Sequence, residues 1–161
     1  MTWDAIIIGA GAAGTYCAIH AAGRGLRVLL LDHNPDLGAK IRVSGGGRCN
    51  FTNTNASADT YHSHNPHFPR AALARHRPQD VLDWFGARGI TWHEKHLGQI
   101  FANQRSRGIL AALHGALTNS GATLQPATTL LEHHHDGEQF RLHTSRGDYR
   151  TPHLVIASGA P

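Results

Sequence analysis

The chain has 161 residues, 40% of them hydrophobic, with 18 glycines and a formal net charge of +4; that is enough apolar material for a packed domain and excludes a disordered chain. Its longest apolar runs have strand length, which excludes a membrane-spanning helix, and its two cysteines lack CxxC spacing, which excludes a disulfide framework or a thiolate zinc site. Residues 1–8 also lack the basic opening of a signal peptide, so a cytoplasmic protein without a membrane partner is expected.

Ala5 to Ile8, "AIII", is a short all-apolar run of the kind buried on both faces of a parallel sheet. It ends in "GAGAAG", Gly9 to Gly14, and "TYCAIHAAGRG" continues as a helix that Gly23 and Gly25 stop. "LRVLLLD" is then a second buried strand ending on Asp32, 18 residues after Gly14. Strand, glycine turn, helix, strand and acid together predict a dinucleotide-binding βαβ unit. Gly9 permits the tight turn, Gly11 lets a pyrophosphate approach the backbone, and Gly14 lets the helix pack on the sheet. The helix N-terminus offers unpaired amides to the phosphates, and Asp32 accepts from a ribose hydroxyl.

Residues 34–66 show little regular patterning, and in a compact domain a loop of that length is functional or disordered. Within it lies "SGGGRCN", Ser44 to Asn50, whose three glycines can bring bare backbone against a ligand. Two short helices are predicted in "PHFPRAALARH" and "PQDVLDWFGARG", with Trp84 and Phe85 in the core. "ITWHEKHLGQIFA" reads as a hairpin, and "RSRGILAALHGALTNSG" as a helix with Ile109, Leu110, Leu113 and Leu117 on one stripe. Three strands follow, "TLLEHHH", "QFRLHTS" and "DYRTPHLVIAS", the last with "LVIAS" buried in the main sheet. His133 to His135 precede "DG" and read as a solvated turn, not a metal site. The chain stops at "SGAP", where a doubly wound protein would begin its next turn beside a ligand, so a fragment is expected.

"KIRVSGGGRCNFTN" closely resembles the K-x-x-x-SGGGRCN-x-[ST]-N hallmark of the BaiN-like, aminoacetone-oxidase-like FAD-dependent oxidoreductases. "GAGAAG" and "LVIASGAP" are similar to their first glycine turn and ATG-type strand end, and "EKHLGQIFANQRSRGILAAL" to the stretch after the hallmark. The resemblance spans the whole chain. It implies an α/β Rossmann-like domain with a parallel central sheet, helices and an accessory antiparallel hairpin or meander. Residues 1–161 would form an incomplete N-terminal FAD-binding domain, with the substrate-side domain and C-terminal return absent.

By the same resemblance FAD would lay its pyrophosphate over Gly9, Ala10, Gly11, Ala12, Ala13 and Gly14, with Asp32 on the adenosine ribose. Lys40 would neutralise phosphate or hold ribose. Ser44, Gly45, Gly46, Gly47, Arg48, Cys49 and Asn50 would pass along the ribityl chain and the flavin edge. The backbone of Leu130 would meet adenine, and Ser158 and Gly159 would stand at the ATG-type turn. Asp32 departs from the more frequent Glu, Ser158 from Thr, and Ala102 from Pro.

The activity expected is that of an FAD-dependent oxidoreductase on an unidentified small molecule, with NAD(P)H as a candidate electron donor and no catalytic side chain assigned. Arg48 is the candidate charge near phosphate or reduced flavin. Cys49 reads as structural within the loop, and His93 and His96 do not make an HExxH site. The basic residues are scattered, so no nucleic-acid partner is expected. An RNA-modifying flavoprotein and a catalytically incompetent nucleotide-binding fragment are the alternatives; the first needs a clustered basic face.

Overall fold

The computed structural model describes residues 2–159. Met1, Ala160 and Pro161 lie outside the described residues, and with them the end of the expected "SGAP" turn. In chain order the elements are β1 (Ala5–Ile8), α1 (Ala12–Ala22), β2 (Val28–Leu31), α2 (Ala39–Val43), β3 (Asn50–Asn53), α3 (Arg70–Arg75), α4 (Pro78–Gly86), β4 (Trp92–Glu94), β5 (Gln99–Ala102), α5 (Arg105–Ser120), β6 (Thr123–Gln125), β7 (Leu130–His135), β8 (Phe140–Thr144), β9 (Gly147–Thr151) and β10 (Leu154–Ile156). They fall into two compact units, one holding the chain up to Ile41 and from Leu113 onward, the other Arg42–Ala112.

The first unit is built on a parallel sheet of order β10-β1-β2-β6. Its two central strands are the all-apolar runs of the sequence, and Ile6, Ile7, Leu29, Leu30 and Leu31 are fully buried. Burial on both faces removes the period-2 alternation of a half-wet strand, which is why these segments read as continuous apolar runs. At about 1.5–3 kcal/mol for each fully buried aliphatic side chain, this layer is the main favourable term of the unit. The antiparallel sheet β7-β8-β9 adds Leu142 to the same cluster, against which Leu130, Phe140, Tyr149 and Leu154 pack. The α/β Rossmann-like fold with a parallel sheet and an antiparallel meander is therefore as expected.

Three details of this unit differ from the sequence reading. The segment "DYRTPHLVIAS" is two strands in two sheets, because Pro152 has no N–H for a ladder, and Thr151 Oγ1 instead turns the chain by bonding His153 O at 3.1 Å. β10 then lies at the sheet edge, with one neighbour, and Ile156 is 55% exposed, not buried as expected. His133 to His135 end β7, exposed, as the strand "TLLEHHH" has them, but they do not make the turn, which is formed by Asp136 to Gln139, where Asp136 N donates to Gln139 O at 3.1 Å.

The second unit carries the antiparallel sheet β3-β5-β4. Leu82, Phe85, Ile90, Ile100 and Phe101 are among its buried apolar residues, and Phe51 meets Phe85 edge-on at 5.3 Å. Residues 34–66, expected to be irregular, contain α2, a Ser44–Gly47 turn, β3 and a short 3₁₀ turn at Ala58–Thr60. β3 escaped notice because "NFTN" has one apolar residue and pairs only through long-range contact with β5. Phe85 is core as expected; Trp84 is only half-buried, with the Arg88 guanidinium 3.6 Å from its ring centroid. No helix among the described residues is long and apolar enough to cross a membrane.

Candidate cofactor site

In the first unit the glycine turn leaves β1 and opens α1. Gly9 has φ +105, and a Cβ there would stand 2.5 Å from Ala157 O, so only glycine fits both the backbone and the space. A Cβ on Gly14 would meet Gly9 O at 1.8 Å, which explains why the turn and the helix can close on each other. Around Gly11 the opposite holds: a Cβ would meet nothing within 4 Å, so the space beside the helix start is open. Gly11 is the N-cap of α1, which has no side-chain cap bond and no acid in its first turn. Its first amides and dipole are thus available to an anion, an interaction of about 0.3–1 kcal/mol at an exposed helix end and more in a shielded one.

Asp32 follows β2 and is 8% exposed. Its carboxylate accepts from Ala10 N at 2.5 Å, Asn34 N at 2.7 Å and Asn34 Nδ2 at 3.0 Å. The acid therefore ties the glycine turn to the end of the second strand. A shorter acid than Glu suits this reach. Thr128 N donates to Asp32 O at 2.7 Å and Ala127 N to Asn34 O at 2.9 Å, so the chain before β7 runs beside the acid. Leu130 opens β7 half-buried in the core cluster. Ala157 N donates to Ile8 O at 2.7 Å, which brings Ala157 and Ser158 against Gly9. Lys40 is exposed in α2, with Nζ 3.8 Å from where a Cβ on Gly159 would be. The structure thus brings Gly9 to Gly14, Asp32, Lys40, Ser158 and Gly159 into one region of the unit.

Ser44 to Asn50 belong to the second unit, where they make a turn of unusual handedness. Gly45, Gly46 and Gly47 have φ of 56, 67 and 80, and Cys49 has 59. Side chains rarely adopt three left-handed residues in succession, which gives "GGG" a backbone reason. A Cβ at Gly45 would press on Phe101 at 3.1 Å, while Gly46 opens to free space. Arg48 Nε donates to Gly45 O at 3.1 Å, so this charge folds back over its own loop. Cys49 is 2% exposed, its backbone bonds Ser44 O and Ala102 N, and burial pushes its thiol up from the ordinary value. That is a structural cysteine, not an activated one. Among the described residues no group of three His, Cys, Asp or Glu side chains is placed to hold a metal.

Two participants were missed in the sequence. Asn34 had a signal, since Asp-x-Asn after a strand is an Asx-turn pattern. Ala157 had none, because its role is carried by backbone atoms set in place by the β1–β10 register.

Residues 3–161 match the HI0933-like protein Rossmann domain. The chain belongs to that family. Over 157 residues it is 42% identical to the ribosomal RNA dihydrouridine synthase of Escherichia coli (strain K12), covering 98% of this chain and 39% of that protein. Over 86 residues it is 37% identical to the 3-dehydro-bile acid delta(4,6)-reductase of Clostridium scindens, covering 52% of this chain and 21% of that one. The chain thus spans well under half the length of either relative. Among solved structures, glycine oxidase from Geobacillus kaustophilus superposes with a TM-score of 0.61 at 18% identity, over 99% of this chain and 56% of that one. That likeness is one of fold. The family resemblance carried by the "SGGGRCN" hallmark stands.

Proposed function

We propose that the chain is the FAD-binding part of a flavoprotein that reduces uridine in ribosomal RNA. The observation that carries this reading is the 42% identity, over 98% of the chain, to a protein named for that reaction. The expectation that nucleic acid plays no part does not fit that likeness. A small-molecule substrate, the first expectation from sequence, is favoured only by the shorter match to the bile acid reductase. A net charge of +4 and a pI of about 9.6 agree with a polyanionic partner. Two cysteines that form no disulfide and an rRNA substrate agree with a cytoplasmic setting.

The residues fit the cofactor. The amides of Gly11 to Gly14 at the uncapped start of α1 would hold the pyrophosphate, with Lys40 adding charge from the Gly159 side. Asp32 holds three N–H groups, and a carboxylate has about four acceptor sites, so capacity remains for a ribose hydroxyl. The backbone at Leu130 would border adenine. For Ser44 to Asn50 a flavin-side role rests on the family hallmark alone; the loop itself offers bare backbone at Gly46 and the charge of Arg48. Once reduced by a donor of the NAD(P)H class, bound flavin would supply the hydride equivalent, returning to its oxidised form. The part of this chain is to bind and orient.

The deciding measurement is the dihydrouridine content of ribosomal RNA, by nucleoside mass spectrometry, in cells with and without the gene. Loss on deletion and recovery on re-expression is the expected result. Unchanged dihydrouridine, together with no reduction of rRNA by the purified FAD-loaded protein, would overturn the proposal.

A further inference from the structure

Resting on the RNA-reducing reading, the structure assigns a single-stranded RNA contact surface to residues 61–77 of the second unit. Between Asp59 and Asp80 the sequence has no acidic residue, while residues 61–77 hold three arginines and four histidines. All of residues 61–68 are exposed. The segment is nonetheless built, not loose: Asn65 Oδ1 accepts from His67 N at 3.0 Å, Phe68 N donates to Asn65 O at 3.2 Å, and Arg70 N donates to His67 O at 3.2 Å before α3 begins.

On this frame stand two exposed rings. Tyr61 is 44% and Phe68 53% exposed, and they meet edge-on at 6.2 Å. Exposed aromatic rings beside a cationic, acid-free stretch are what an unpaired strand requires. Bases stack on the rings, and arginines meet the phosphates. Arg70 and Arg75 bracket α3. Arg77 is held by Asp80 at 3.1 Å and is left out of the phosphate set. A lipid surface is less suited, because two rings held edge-on by a hydrogen-bonded turn give no continuous apolar helix face to insert.

The test is fluorescence anisotropy of a short labelled oligouridylate with the full chain and with variants, over a salt series. Tyr61→Ala and Phe68→Ala should each weaken binding about fivefold or more, as expected for a lost stacking ring. Arg70→Gln with Arg75→Gln should lower the slope of log affinity against log salt by about 1.4, at roughly 0.7 per phosphate contact on a single strand. Arg70→Lys with Arg75→Lys should keep that slope. Circular dichroism and FAD uptake should be unchanged in all of them, since none of these residues belongs to the cofactor region. Variants that bind like the parent chain, or a chain that binds phosphatidylglycerol vesicles and not RNA, would overturn the assignment. The two proposals fail separately. Losses of binding as stated, with rRNA dihydrouridine unaffected by gene deletion, would remove the RNA-reducing reading and leave the surface standing.

Discussion

At Gly9 two separate constraints meet on one residue. Its φ of +105 disfavours any L side chain, and the missing Cβ makes room for Ala157 O. Left-handed backbone costs about 1–2 kcal/mol for a non-glycine residue, and an overpacked contact about 1–3 kcal/mol more. Gly9→Ala should therefore lose roughly 3 kcal/mol of stability, read as a lower urea midpoint at unchanged slope. A midpoint equal to that of the parent chain would mean that Ala157 O yields easily. Asp32 teaches a related lesson. Its position after the second strand was legible, because an acid ending an apolar run is a local pattern. Its bond to Ala10 N was not, since the two lie 22 residues apart and meet only once the sheet has formed. The same distinction separates the "GGG" run, whose need for bare backbone was legible, from Arg48, whose turn back to Gly45 O depends on the folded loop.

At the level of elements, the β7–β8 hairpin is closed by electrostatics as well as by its ladder. Asp136 accepts from Gln139 N at 3.0 Å and Glu138 N at 3.1 Å, and pairs with Arg141 at 2.5 Å. These backbone amides first, and then the guanidinium, hold its carboxyl well below its ordinary value of 3.8. A folded-state value lower than the unfolded one means that the stabilisation is fully present above the unfolded value. It is lost as pH falls from about 3.8 through the folded value. Asp136→Asn should accordingly be less stable than the parent at neutral pH, and the two urea midpoints should converge in strong acid. A gap that stays constant across the acid range would show that the charge of Asp136 is not what closes the turn. The elements legible in sequence were those with a strong period or a glycine stop, such as α5 with Gly121 at φ +82. β6, "TLQ", was not, because three residues with one aliphatic side chain carry no pattern and are made a strand only by pairing with β2.

For the molecule as a whole, cofactor binding and stability are one measurement. A ligand that binds only the folded chain stabilises it by RT ln(1 + [L]/Kd), about 2.7 kcal/mol at a hundredfold excess over Kd. For a chain of 161 residues, each kcal/mol moves the thermal midpoint by about 2–4 °C. Saturating FAD should then raise the midpoint by about 5–10 °C. Gly11 supplies the control that Gly9 cannot. Its φ of −77 is ordinary and a Cβ there meets no protein atom, so Gly11→Ala should leave the midpoint without ligand within about 1–2 °C of the parent. The added methyl group instead enters the open space beside the helix start, where the pyrophosphate would lie. Gly11→Ala should therefore keep its fold and lose most of the FAD-induced shift. A parent chain with no shift would argue for a nucleotide-binding remnant without cofactor. A variant that shifts as fully as the parent would move the pyrophosphate away from Gly11, even if FAD binds. Because both outcomes are read from melting and not from turnover, they test the cofactor assignment independently of any substrate.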